Sequence, residues 1–255
     1  MKVCVFPKLE EIHLSNMKRL RDIWHTKVNI DSFSSLISVN IEECNQLDKI
    51  FPSHMEGWFE SLINLKVSNC KSVKEIFEVS DSEEIDVYGG IDTNLQVILL
   101  EDLPKLKELW SKDPHGIFNF KKLQTIDVSN CDELRNLFPA SMAKDVSKLE
   151  RMSILHCERM VEIVSSKDAS EDNNDTLEFP ELSYVRLYEL PNIKQFYKGR
   201  HPIKFPKLKE LCIGKCINLN TFPQETSETT SDEKFVFSIE VVSIIQTLSY
   251  SIKFL

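Results

Sequence analysis

Apolar residues return along this chain in one fixed phrase. It is clearest as Leu36-x-x-Val39-x-Ile41-x-x-Cys44-x-x-Leu47-x-x-Ile50-Phe51-Pro52, and again as Leu62-x-x-Leu65-x-Val67-x-x-Cys70-x-x-Val73-x-x-Ile76-Phe77. Copies led by Leu123, Leu149 and Leu208 carry Cys131, Cys157 and Cys216 at the cysteine position. Three more, led by Leu9, Leu95 and Leu182, place Met17, Leu103 and Leu190 there. Most copies are preceded three residues earlier by an aromatic: Phe6, Phe33, Phe59, Phe120, Phe179 or Phe205. The eight leading leucines stand 27, 26, 33, 28, 26, 33 and 26 residues apart. Their types run apolar, Cys, Cys, apolar, Cys, Cys, apolar, Cys, so the duplicated unit is three repeats of 86 to 87 residues in all.

The first half of each copy alternates apolar and polar, which gives a strand with one buried face. The later spacing of three suits a turning, 3-10-like return. One copy cannot bury its own apolar face, so neighbours stack and share a core. The expected fold is therefore an α/β solenoid of about eight repeats. A parallel β-sheet lines its concave face, and short helical, 3-10 or irregular segments form the convex side. At ~4.8 Å per strand the sheet is roughly 35–40 Å wide.

Two acidic insertions, Glu78 to Asp86 and Asp168 to Glu178, fill the 33-residue intervals. They read as solvated loops, with docking to a basic surface as the sharper alternative. Residues 1–223 form the solenoid, 224–234 an acidic linker, and 235–255 a degenerate ninth repeat or a C-terminal cap or tail. In that tail, Ile239-x-x-Val242-x-Ile244 loosely fits a ninth strand. Nothing upstream of Phe6 reads as a cap, which fits a fragment of a longer protein.

Composition narrows the function. A formal charge of −9 argues against nucleic acid, because phosphate binding needs a basic face. No stretch up to residue 234 approaches the apolar length of a membrane span, and Glu240, Gln246 and Lys253 interrupt the tail, so stable membrane insertion is not expected. Cys44, Cys70, Cys131, Cys157 and Cys216 lack the C-x2-C pairing of zinc sites. They read as small buried thiols whose S–H reaches a backbone carbonyl at the turn. Buried unpaired thiols suit a reducing compartment, so a cytoplasmic location is expected.

Catalytic constellations are missing. The six histidines share no repeat position and match no H-E-x-x-H or H-x-E signature, and there is no G-x-S-x-G elbow. We therefore expect no enzyme activity, cofactor or metal. The side chains flanking the buried strand positions form the candidate binding face. Tyr184, Arg186 and Tyr188 on one strand, beside Arg151 and Leu155 on the previous one, make an aromatic and arginine cluster of the kind that dominates interfaces. Lys66, Leu99 and Asp127 extend the face. Val97 and Leu99 are apolar where solvent is expected, which means either a sticky patch or a local register slip.

The full phrase L-x-x-L-x-L-x-x-C-x-x-L-x-x-[LI]-F-P, with "FPKLEEIHLSNMKRLRDIW", "FPELSYVRLYELPNIKQFY" and "FPKLKELCIGKCINLNTFP", resembles the leucine-rich-repeat region of plant intracellular nucleotide-binding disease-resistance proteins of the coiled-coil type. The resemblance covers residues 6 to about 223 and implies a leucine-rich-repeat solenoid, or horseshoe. It also implies a non-catalytic recognition module of innate immunity. Its protein partners would be a pathogen effector, a guarded host protein or the nucleotide-binding module of a receptor. This chain departs from such receptors in having no G-x-x-x-x-G-K-[ST] loop, so nucleotide-driven switching is not carried over. The alternative is a substrate-recruiting repeat adaptor of a ubiquitin ligase. That class carries I-T-D-x-G after the cysteine, where this chain reads Leu47-Asp48-Lys49-Ile50.

Overall fold

Most repeats are folded by two tight turns that their sequence specifies. The first joins the preceding aromatic to the leading leucine: Leu9 N–H donates to the Phe6 carbonyl at 3.1 Å, Leu182 to Phe179 at 3.3 Å and Leu208 to Phe205 at 3.2 Å. Pro7, Pro180 and Pro206 occupy the second turn position, where a fixed φ is favourable. The second turn follows the strand. Leu47 N–H donates to Cys44 at 3.3 Å and Leu106 to Leu103 at 3.0 Å. In two of the three apolar-type copies a proline, Pro104 or Pro191, stands at the second position of this turn. The phrases F-P-x-L and L-P-x-L thus place proline at the same point of different bends.

The structure is a computed structural model that describes residues 6–24, 32–53, 60–79, 91–114, 117–165, 177–198 and 203–220, and the backbone of the strand Val236–Ser238. Its main sheet has nine parallel strands in sequence order. These are β1 (Glu11–Ser15), β2 (Ser38–Glu42), β3 (Asn64–Ser68), β4 (Val97–Glu101), β5 (Thr125–Ser129), β6 (Arg151–Leu155), β7 (Tyr184–Tyr188), β8 (Glu210–Gly214) and β9 (Val236–Ser238). Leu14, Ile41, Val67 and Leu100 are register partners on successive strands. Leu65, Ile98, Ile126, Met152 and Val185 are at most 1% exposed. No register slip occurs at β4, where Ile98 and Leu100 are buried while Val97 and Leu99 stay partly exposed. Strand β9 aligns Phe237 with Leu211, earlier in the chain than the Ile239-x-x-Val242-x-Ile244 spacing places a strand. That spacing, the acidic linker and most of both acidic insertions lie outside the described residues.

A left-handed residue ends every one of the first eight strands. Asn16, Glu43, Asn69, Asp102, Asn130, His156, Glu189 and Lys215 have φ between 52° and 55°. Four of them are Asn or Asp, which tolerate that region best. The conformation swings the chain out of the sheet without breaking the ladder. Asn16 N–H still donates to Glu42 at 2.9 Å, and Glu189 N–H to Gly214 at 2.9 Å.

The convex side is held by rings rather than helices. Among the described residues the α-helix is confined to Ala140–Asp145. Elsewhere short strand pairs form the return, such as Lys49–Phe51 with Glu75–Phe77 and Glu108–Trp110. Trp24, Phe51, Phe77, Trp110 and Phe138 stack in series with centroids 5.4 to 6.1 Å apart. The preceding aromatics Phe33 and Phe120 meet this column edge-on. After each insertion the chain rejoins the stack through a two-residue pair: Ile91–Asp92 with Phe118–Asn119, and Leu177–Glu178 with Ile203–Lys204. Recurrence of this device three repeats later mirrors the duplication read from the sequence. In the first repeat Leu9, Ile12, Leu14, Leu20 and Ile23 are only partly buried.

Candidate protein-binding face

The concave sheet presents its outward side chains in parallel rungs. One rung runs Lys66, Leu99, Asp127, Ser153, Arg186, Cys212 from β3 to β8. The rung on one side of it carries Arg151 and Tyr184, and the rung on the other side Leu155 and Tyr188.

On β5 to β8 these rungs interlock. The Arg151 guanidinium lies over the Tyr184 ring, 4.0 Å from its centroid. Its Nε is 3.8 Å from Asp127 Oδ1. That oxygen has no hydrogen-bond donor, because 3.8 Å is beyond bonding reach. Burial pushes the Asp127 carboxyl above the usual carboxylate range, and Arg151 offsets part of the rise. Arg186 sits 5.9 Å from the Tyr188 centroid. Tyr188 lies against the backbone at Gly214: a Cβ there would stand 2.6 Å from the ring, so glycine makes room for it. Leu155 is half-exposed beside them. Lys66 and Leu99 lie outside this contact group. Leu99 neighbours Asp127 in register, and Lys66 is one strand further out and exposed.

Three residues of the site were not legible as strand positions. His156, Glu189 and Lys215 occupy the left-handed rung just beyond the strands. The His156 ring meets Tyr188 edge-on at 5.9 Å, and Lys215 Nζ is 5.2 Å from the Tyr188 centroid. Glu189 bridges the two, with His156 Nδ1 at 2.5 Å from Oε2 and Lys215 Nζ bonded to Oε1. The bond from Lys215 is the main cause that holds the Glu189 carboxyl below its ordinary range. The sequence signal for these positions is their constant place after the strand, before the Cys or apolar residue that opens the second turn. Tyr188 is thus boxed by cations and an imidazole.

The repeat cysteines lie on the opposite side of the sheet, in the core. Cys44, Cys70, Cys131, Cys157 and Cys216 are at most 5% exposed. Each thiol contacts the carbonyl two residues earlier at 3.2 to 3.4 Å. Burial pushes the Cys70 and Cys216 thiols up to about 11. Cys131 rises through its contact with Cys157 and through burial. Protonated, buried thiols are poor nucleophiles and poor metal ligands. Among the described residues no three His, Cys, Asp or Glu side chains converge as a metal site requires. Among the same residues no helix is long and apolar enough to cross a membrane.

The comparisons agree with this architecture. Residues 8–158 match a family model described as plant disease resistance protein RPS2-like, leucine-rich repeats. The chain is 28% identical over 118 residues to disease resistance protein SUMM2 of Arabidopsis thaliana, covering 46% of this chain and 12% of that protein. It is 27% identical over 167 residues to disease resistance protein UNI of the same plant, covering 64% of this chain and 17% of UNI. It is 23% identical over 226 residues to probable disease resistance protein At1g12290, also of that plant, covering 84% of this chain and 23% of the relative. The chain therefore spans less than a quarter of the length of these relatives. No solved structure matches it. With the family model covering more than half of its length and the parallel solenoid beneath it, the chain belongs to the RPS2-like leucine-rich-repeat family of plant disease-resistance proteins.

Proposed function

We propose that the concave surface over β5 to β8 recognises a protein in plant defence, and that the chain serves as the sensing module of a larger receptor. The partner is a pathogen effector, a guarded host protein or the receptor's own nucleotide-binding module. The reading rests on one observation: Arg151, Tyr184, Arg186 and Tyr188 are ordered by one another and by Gly214 on a face whose surroundings are mostly polar. Tyr and Arg held in place lose little freedom on binding and supply large contact area, which is what interface hot spots require. The buried reduced thiols support a cytoplasmic setting.

The test is a differential capture from plant tissue. The chain, its Tyr184→Ala/Arg186→Ala variant and a control outside the concave strands, Lys121→Ala, serve as baits. A specific partner retained by the first and third and lost by the second supports the proposal. Equal retention by all three removes this face from consideration.

A further inference from the structure

The return segments set one side chain per turn on the flank of the solenoid, four residues after the position that opens the second turn. The column reads Arg21, Asp48, Lys74, Lys107, Arg135, Val161, Lys194, Asn220, and every member is exposed. Five of the eight are cations and one is an acid, in a chain with 40 Asp and Glu against 31 Lys and Arg. Lys74 N–H donates to Asp48 at 2.8 Å and Lys107 N–H to Lys74 at 2.9 Å. Val161, Lys194 and Asn220 continue the same ladder from Arg135 at 2.9 to 3.0 Å. Successive side chains are therefore roughly 4.8 Å apart.

Among the described residues these cations also form no close ion pair. Lys49, Arg151, Arg159, Lys207 and Lys215 each pair with a carboxylate, but among the described residues Arg21, Lys74, Lys107, Arg135 and Lys194 do not. Like charges stacked on adjacent turns repel one another. At the N-terminal end Arg21, Lys74 and Lys105 border an open hollow of about 380 Å³, with Asp22 and Asp48 on its wall.

We propose that this flank is a second interaction surface, separate from the concave face, and that it takes an acidic α-helix of a partner protein. Carboxylates at i and i+4 on a helix are about 5–6 Å apart, close to the spacing of the turns. From Arg21 to Lys194 the column covers roughly 29 Å, the length of about 19 helical residues. The next residue along is acidic in four of the eight returns, at Asp22, Glu75, Glu108 and Glu162, and is Lys49, Asn136, Gln195 or Thr221 in the others. The net charge of −9 disfavours a nucleic acid, which carries phosphates on every side, whereas a helix can confine its carboxylates to the one face that meets the stripe.

The probe is a fluorescent, alanine-based helical peptide of about 20 residues with glutamates at i, i+4 spacing. Its anisotropy is titrated with the 255-residue chain at low and moderate salt. Lys74→Glu/Lys107→Glu/Lys194→Glu should weaken binding at least about tenfold while leaving the melting temperature intact, since all three side chains are in solvent. The corresponding Gln triple should fall between, and Tyr184→Ala/Arg186→Ala should bind as wild type does. Absence of binding, an unaffected Glu triple, or stripe-dependent preference for a single-stranded RNA over the peptide each overturns the proposal.

Discussion

The guanidinium of Arg151 stacks 4.0 Å from the centre of the Tyr184 ring, with the two residues register partners on β6 and β7. The pair is preorganised, so a partner meets side chains that have already lost their rotamer freedom. Arg151→Lys keeps the charge but loses the planar stack, and should weaken partner retention nearly as much as Arg151→Ala. Both changes should alter stability by no more than about 1 kcal/mol, because the contact is at the surface. Comparing retention in the capture assay with thermal melts separates the two effects. Full retention by Arg151→Lys would show that charge alone matters there.

Asp127 should trade stability for binding. Its carboxyl titrates above the ordinary range because it is partly buried, so near that value the folded state holds more protons than the unfolded. This group therefore destabilises the fold at neutral pH, and the penalty shrinks as pH falls through its raised pKa. Asp127→Asn should therefore melt no lower than wild type at pH 7 and lose that acid-side gain, while partner retention drops. The 3.8 Å approach of Arg151 is too long and too exposed to reverse this order. Melting curves from pH 4 to 7 check it.

The aromatic column supplies an internal contrast. Phe77 is 2% exposed and stacked on both sides, by Phe51 and Trp110, so Phe77→Ala should cost about 3–5 kcal/mol. Trp110 is equally enclosed, but its Nε1–H has no acceptor. Trp24 differs, donating to Ile50 at 2.7 Å. Trp110→Phe removes a buried unsatisfied donor along with some packing, so its cost should be far smaller than that of Phe77→Ala. Urea titrations of the two variants measure the difference.

The thiol ladder should resist modification. Cys44, Cys70, Cys131, Cys157 and Cys216 should react with iodoacetamide only as the chain unfolds, whereas the half-exposed Cys212 reacts in the native state. Peptide mass mapping after brief alkylation reads this directly. Early labelling of Cys70 would contradict its burial.

The eight strands and the core were legible because a period-two apolar pattern returning at near-constant intervals admits one register. Leu14, Ile41, Val67 and Leu100 fall into line for that reason. The cluster of Arg151, Tyr184, Arg186 and Tyr188 was legible because strand alternation alone tells which side chains point outward. His156, Glu189 and Lys215 escaped, since they follow the strand and reach the face only through a positive φ that Glu, His and Lys do not signal. The ring column escaped as a column: its members Trp24, Phe51, Phe77, Trp110 and Phe138 are apparent in sequence, but their stacking follows from how tightly the convex returns close.

Cross-linking tests the whole account most directly. In a Cys212→Ser background, Lys66→Cys with Leu99→Cys places two thiols on register partners of one face, within the reach of a disulfide. Lys66→Cys with Asp127→Cys sets them two strands apart, roughly 9.6 Å, which is out of reach. Mild oxidation and mass mapping should join the first pair without lowering the melting temperature and leave the second unjoined. Efficient joining of Lys66→Cys to Asp127→Cys, or failure of the first pair to join in a folded chain, would contradict the stacked register from which the binding face is built.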